Sequence, residues 1–181
     1  MQKMMLIIAG LTLASAAPLQ AQTPQHAGAD QSAQHSAYAG RQFRDIKSLS
    51  GEDIDSLRVG RGLGMAKAAE LNNMPGPVHL LDLKKELDLN SNQVAVFEKS
   101  YTEMKERAIP LGERLIALER SLDQAFANND IDPGRLKTKL DEIGKLRSEL
   151  RYEHLVTHLA APVILSEDQI ANYNRLRGYT K

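Results

Sequence analysis

The chain has no cysteine and no tryptophan, few aromatic side chains and no formal net charge. Each absence removes a class of protein. Without cysteine, neither a disulfide nor a cysteine-based zinc site can hold the fold. An aromatic share of 4% is low for a sandwich or barrel and suits a Leu/Ala-rich helical protein. With 23 basic against 23 acidic side chains, nothing in the charge balance favours DNA, RNA or an anionic membrane as partner. Long apolar runs are missing too: no segment approaches the roughly 20 apolar residues of a membrane span. The length suits one domain.

The first residues read as a secretory signal. Lys3 supplies a short positive start, and Leu6 to Ala17 is apolar and small but too short to cross a bilayer. Cleavage is placed after Ala21, because a cut after Ala17 would leave Pro18 immediately downstream. An uncleaved N-terminal anchor is the alternative. Loss of Lys3 leaves one more acidic than basic side chain. The expected organisation is a signal peptide over 1–21, a flexible leader over 22–48 rich in Gln, Ala, Ser, His and Gly, and an all-α domain over 49–181. The expected location is periplasmic.

Order begins near Ser50, which caps a helix with acidic residues in its first turn. Ile54, Leu57, Leu63 and Met65 carry apolar positions on to about Leu71, and Asn72-Asn73-Met74-Pro75-Gly76-Pro77 stops the helix. A short helix over 78–87 follows, with Leu80, Leu83 and Leu87 on one face. Next comes a long helix over 91–128. Its apolar residues Phe97, Tyr101, Met104, Ala108, Leu111, Leu115, Leu118, Leu122 and Phe126 are spaced 4-3-4-3-4-3-4-4. That spacing is close to a heptad seam and predicts long helix–helix packing, within one chain or between two. At 1.5 Å per residue the helix spans about 55 Å, and Pro110 inside it predicts a bend. Asn128 to Pro133 reverses the chain. The returning helix, with Leu136, Leu140, Ile143, Leu146 and Leu150 as its stripe, runs to about Ala160 and is ended by Pro162. A last helix, from Glu167 to about Arg177, closes at Gly178. Nothing alternates as strands do.

Two short boxes open two of these helices. Leu89-Asn90-Ser91-Asn92-Gln93 starts the long one and Leu165-Ser166-Glu167-Asp168-Gln169 starts the last. In each, a capping side chain (Asn90, Ser166) can accept the N–H three residues on, and the glutamine there (Gln93, Gln169) can reach back to the cap's own N–H.

His154 and His158, four apart on a helix, share one face and have a spacing that can chelate a divalent metal. Glu153, or His79 at the start of another helix, could add a third ligand. The alternative reading has the histidines flanking the apolar stripe beside Leu155 and Leu159. No HExxH motif is present. Gly60-Arg61-Gly62-Leu63-Gly64 lacks the strand and spacing of a nucleotide loop and reads as closely packed or flexible helix glycines. His26 and His35 fall in the leader and look incidental. Glu103/Arg107, Asp141/Lys145 and Lys145/Glu149 read as a solvated helix face. No nucleophile–base constellation is visible, so no enzyme is expected.

The two boxes, with the stretches Leu63 to Asn72, Pro75 to His79 and Ile164 to Tyr179, resemble the LTxxQ-box proteins of the periplasmic Spy/CpxP family and heavy-metal-sensor relatives such as CnrX and ZraP. Asn90 and Ser166 stand where the family has Thr. The resemblance implies an elongated, bent helical hairpin with short flanking helices, paired as an antiparallel dimer around a curved cradle. It implies an ATP-independent chaperone or envelope-stress protein that holds partly unfolded clients and needs no cofactor. Two alternatives come with it. One is a zinc, nickel or cobalt sensor or buffer using His154 and His158, with His79 as a candidate third ligand. The other is an adaptor for an envelope sensor kinase. The neutral charge balance departs from the basic cradle of some chaperone members and speaks against electrostatic capture of acidic clients.

Overall fold

A computed structural model describes residues 36–179. The expected signal peptide, most of the leader, His26 and His35 lie outside the described residues. Among those residues there are helices and turns and no strand, so the all-α expectation holds at that level. None of these helices is long and apolar enough to cross a membrane.

Structure starts earlier than the sequence suggests. A 3-10 turn at Arg41–Phe43 leads to Ile46, which is fully buried, and Leu49, which is nearly so. Both join Leu57, Met104, Ala108, Leu115 and Ile143 in the main core. Two apolar residues in a polar stretch have no periodicity to betray them, because most of the core they join lies far along the chain. Asp45 meets Arg120, Ser48 donates to Glu119, and Lys47 meets Asp123, which pins this segment along the long helix.

Helix α1 (Gly51–Arg58) begins at Ser50 in a reciprocal cap: the Asp53 N–H reaches Ser50 Oγ at 3.1 Å and the Ser50 N–H reaches Asp53 Oδ2 at 2.8 Å. It does not continue toward Leu71. Gly60, Leu63 and Gly64 take positive φ, so the glycine segment is a turn and not a packed helix, and only α2 (Lys67–Glu70) follows. Helix α3 (Pro77–Asp82) uses Pro77 in its first turn and is shorter than expected.

Helix α4 (Ser91–Ala127) runs through Pro110 without interruption. Pro110 faces solvent, where water can meet the carbonyl it frees. The seam largely holds: Phe97, Met104, Ala108 and Leu115 are buried, while Tyr101, Leu111, Leu118 and Leu122 are half-buried. Its end drifts. Phe126 is 53% exposed and Ala125 is buried in its place. The alternation of four and three that begins at Phe97 continues from Leu122 to Ala125, so Ala125 is the next seam position and Phe126, reached by a second step of four, falls one residue off it.

Helix α5 (Pro133–Val156) runs back along α4. Lys139 bonds Ser121, Arg147 bonds Glu119 and Arg107 bonds Glu153, so partners climb one helix as they descend the other. Two of the expected surface pairs are not formed: Arg107 reaches across to Glu153 instead of Glu103, and Asp141 pairs with Lys137 instead of Lys145. Lys145 and Glu149 are 3.9 Å apart, as expected on a solvated face. The inward register of α5 is Lys139, Ile143, Leu146, Leu150 and His154, which leaves Leu140 49% exposed. Pro162 does not end the helical path. A 3-10 turn (Thr157–Ala160) passes into α6 (Ala161–Ile164), where Pro162 sits in a first turn and its missing N–H costs nothing. Helix α7 (Glu167–Leu176) follows, and Gly178 has the positive φ of a helix stop.

Both boxes form their reciprocal caps, and they also bind each other. Gln93 Oε1 accepts the Asn90 N–H and Gln169 Oε1 accepts the Ser166 N–H, each at 3.0 Å. The two side-chain NH2 groups then cross over. Gln93 Nε2 donates to Ile164 O at 2.9 Å and to Gln169 Oε1 at 3.0 Å. Gln169 Nε2 donates to Leu87 O at 3.1 Å and to Gln93 Oε1 at 3.3 Å. Leu89 and Leu165 lie beneath in a second core with Leu80, Leu87, Phe97 and Tyr173. The boxes thus tie the start of α4 to the start of α7. Gln93→Ala and Gln169→Ala are each expected to cost about 1–2 kcal/mol. The double variant should cost less than the two together by at least about 0.5 kcal/mol, because the first substitution already breaks shared bonds. Urea denaturation of the four-member cycle measures this, and strict additivity would mean the boxes act separately.

Candidate functional site

The three histidines singled out in the sequence line one cavity of about 520 Å³. It is assembled from distant pieces of chain. The turn after α1 lies over the end of α5, so close that a Cβ on Gly62 would stand 3.1 Å from His154 Nδ1. The last turn of α5 supplies His154 and the following 3-10 turn supplies His158. Helix α3 brings His79, α4 brings Tyr101 and Met104, and the chain after α7 brings Arg177 and Tyr179.

His154 and His158 are each 6% exposed, and their surroundings differ. His158 Nδ1 stands 2.7 Å from Met74 O. A carbonyl only accepts, so Nδ1 carries the hydrogen. Gly76 packs against the same ring, where a Cβ would come within 2.6 Å of Cε1. His154 Nε2 is closed off from solvent and has no hydrogen-bond partner among the described residues. A buried polar atom left unpaired costs on the order of 1–3 kcal/mol. His154 is there because it occupies the inward register one step past Leu150.

Burial, and then the neighbouring His158, hold the His154 imidazole below its ordinary range. Burial, and then the Arg177 cation, do the same for His79, whose Nδ1 lies 3.9 Å from Asp82. Both rings are therefore the neutral form in the folded chain near neutral pH, the form that could bind a metal. Among the described residues, however, no three His, Cys, Asp or Glu side chains stand close enough together to hold an ion. Glu153 is not among the lining residues; it bonds Arg107 at 2.5 Å.

The acid that does stand with the histidines is Glu70, which sequence reasoning misses. It is buried and accepts from the Tyr173 hydroxyl, from the Gly76 N–H at 3.2 Å and from the Tyr179 hydroxyl at 3.3 Å. His158 Nδ1 and Arg177 Nε each lie 3.9 Å from it. Burial, and next the hydrogen bond to Glu70, push the Tyr173 hydroxyl far up, so it stays a donor. The only sequence sign of Glu70 is its place just before a helix-stopping Asn-Asn-Met-Pro-Gly-Pro run.

The lowered histidines make stability depend on pH with a definite sign. Their folded-state pKa lies below the unfolded value, so the unfolded chain binds more protons as pH falls through about 6.5, and stability is lost on acidification. The urea midpoint should therefore drop between about pH 7.5 and about pH 5.5, above the range where carboxylates contribute. The drop should shrink in His154→Gln. An equal drop in both proteins would place the protons elsewhere.

No family model, curated protein or solved structure matches this chain.

Proposed function

We propose that this chain is a non-enzymatic, exported helical binding protein of the Spy/CpxP-like kind. In this reading it is an elongated, bent hairpin that pairs as an antiparallel dimer in the periplasm and holds partly unfolded clients. The observation that carries it is a row of exposed apolar side chains. Tyr152, Leu159 and Val163 are 62%, 60% and 86% exposed and follow one another along α5, the 3-10 turn and α6. A soluble chain that leaves such a row open has a surface suited to weak apolar contacts with many partners. The neutral charge balance makes those contacts tolerant of salt. The test is suppression of aggregation of a chemically unfolded client at stoichiometric ratio. The wild type should suppress it, and Tyr152→Ser/Leu159→Ser/Val163→Ser should suppress it much less. Failure of the wild type with every client tried ends the proposal, and one specific envelope partner without general suppression would favour the adaptor role.

A second reading is supported by the cavity that His79, His154 and His158 share. It is a sensor or buffer of zinc, nickel or cobalt whose ligands close together on binding. Isothermal titration with each ion, wild type beside His154→Ala/His158→Ala, decides it. Binding tighter than micromolar that vanishes in the double variant supports it, and no binding removes it.

A further inference from the structure

We propose that the cavity between the glycine turn, α2, α4 and the end of α5 is a binding site for a small amphipathic organic anion, a carboxylate with an aromatic or aliphatic tail. Its volume of about 520 Å³ is within the range of small-molecule sites. The wall toward α4 and the turn is apolar, made by Met65, Tyr101 and Met104. Methionine flexibility and a tyrosine face suit tails of differing shape.

The charge balance of the lining points to an anion. Glu70 is the sole acidic residue among the described lining side chains, and its oxygens are already engaged by Tyr173, Tyr179 and the Gly76 N–H, with Arg177 beside it. Arg61 and Lys67 also line the cavity, and both are exposed. Neither has an ion-pair partner among the described residues. Two exposed cations beside an apolar hollow can hold a carboxylate while its tail leaves water.

Backbone conformation supports the assignment. Leu63 has a φ of 46°, a left-handed conformation uncommon for leucine. Such strain costs on the order of 1 kcal/mol. It does not serve the core, since Leu63 is 41% exposed; it sets the side chain at the cavity edge.

The test titrates the full chain, in EDTA, with octanoate, 3-phenylpropionate and indole-3-acetate, and with the uncharged 3-phenylpropan-1-ol. We expect saturable one-to-one binding of at least one carboxylate by calorimetry and by shifts of amides in the glycine turn. The alcohol should bind at least about tenfold more weakly than 3-phenylpropionate. Arg61→Glu/Lys67→Glu should weaken carboxylate binding by about tenfold or more at unchanged melting temperature, because both side chains are exposed and form no ion pair among the described residues. Met65→Trp, which fills the half-buried wall, should abolish it. Three results would overturn the proposal: no saturable binding of any carboxylate, affinity unchanged by the charge reversal, or equal affinity for the alcohol. The first removes the site, and the other two remove the anion.

Discussion

Replacing Gly112 with alanine is expected to destabilise the protein by about 1–2 kcal/mol, although alanine is the better helix former. Gly112 lies inside α4, where α1 crosses it. A Cβ there would stand 2.5 Å from the carbonyl oxygen of Leu57 and 3.1 Å from its carbonyl carbon. These are backbone atoms, so no rotamer change gives relief and α1 itself must shift. Leu57 is 1% exposed, and its neighbours in the core include Ala108, Leu115 and Ile46. Moving α1 loosens them all. The propensity gain of about 1 kcal/mol is therefore outweighed by overpacking, and Gly112→Val should cost about 3 kcal/mol or more. Gly144 is the control. It is an exposed position within α5 with nothing within 4 Å of an added methyl, so Gly144→Ala should stabilise by about 0.5–1 kcal/mol. Guanidinium denaturation of the two alanine variants should give shifts of opposite sign. A stabilising Gly112→Ala would show that the helix crossing yields easily.

Much of the helical frame was legible because local rules set it. The caps at Ser50, Asn90, Asp132 and Ser166 sit at the observed helix starts, each within three residues of the donor it satisfies. The seam of α4 was legible because its four-three spacing is written over eight residues, Phe97 to Leu122, with Phe126 alone off it. What escaped depended on partners remote in sequence. Most of the core that Ile46 joins is supplied by α4 and α5, more than fifty residues on, so the polar stretch around it does not reveal a core position. The boxes could be read as caps, but not as a joint, because the bonds between Gln93 and Gln169 cross 76 residues. Pro162 misled because proline stops a helix interior but is welcome in a first turn, and which it meets depends on the 3-10 turn before it. The glycine segment misled in a related way: positive φ at Gly60 and Gly64 makes a turn, which spacing alone does not distinguish from close packing.

The candidate site was half legible for the same reason. Chemistry named the histidines, since imidazoles four apart on a helix face one way. It could not name their surroundings. Glu153, adjacent in sequence, is drawn to Arg107 on the neighbouring helix, while Glu70, more than eighty residues earlier, takes the place beside His158. Sequence proximity favoured the wrong acid because helix geometry turns adjacent residues about 100° apart.

Glu70 is also where truncation should do the most harm around the cavity. Glu70→Ala is expected to cost about 3 kcal/mol, or roughly 6–12 °C in melting temperature. The side chain joins α2 to the turn before α3 through the Gly76 N–H, and to the C-terminal segment through Tyr173 and Tyr179. Tyr173 is fully buried, so its hydroxyl has no water to turn to when the carboxylate is gone. Arg177 would lose the Glu70 carboxylate beside it, and His79 would lose a charge that favours its protonated form while keeping the Arg177 cation that opposes it, so its proton affinity falls further. Glu70→Gln separates the contributions. The amide can still accept from Tyr173 through its one oxygen, but its NH2 group faces the Gly76 N–H as a second donor and the charge opposite Arg177 is lost. Stability should therefore fall in the order wild type, Glu70→Gln, Glu70→Ala. Tyr173→Phe tests the same bond from its other end, and the cycle with Glu70→Ala should show a coupling of about 1 kcal/mol or more. If Glu70→Ala melts within about a degree of wild type, the cluster is loosely held by water and Glu70 does not organise the cavity wall. If only the glutamine variant keeps its stability, hydrogen bonding to Tyr173 matters and the charge does not.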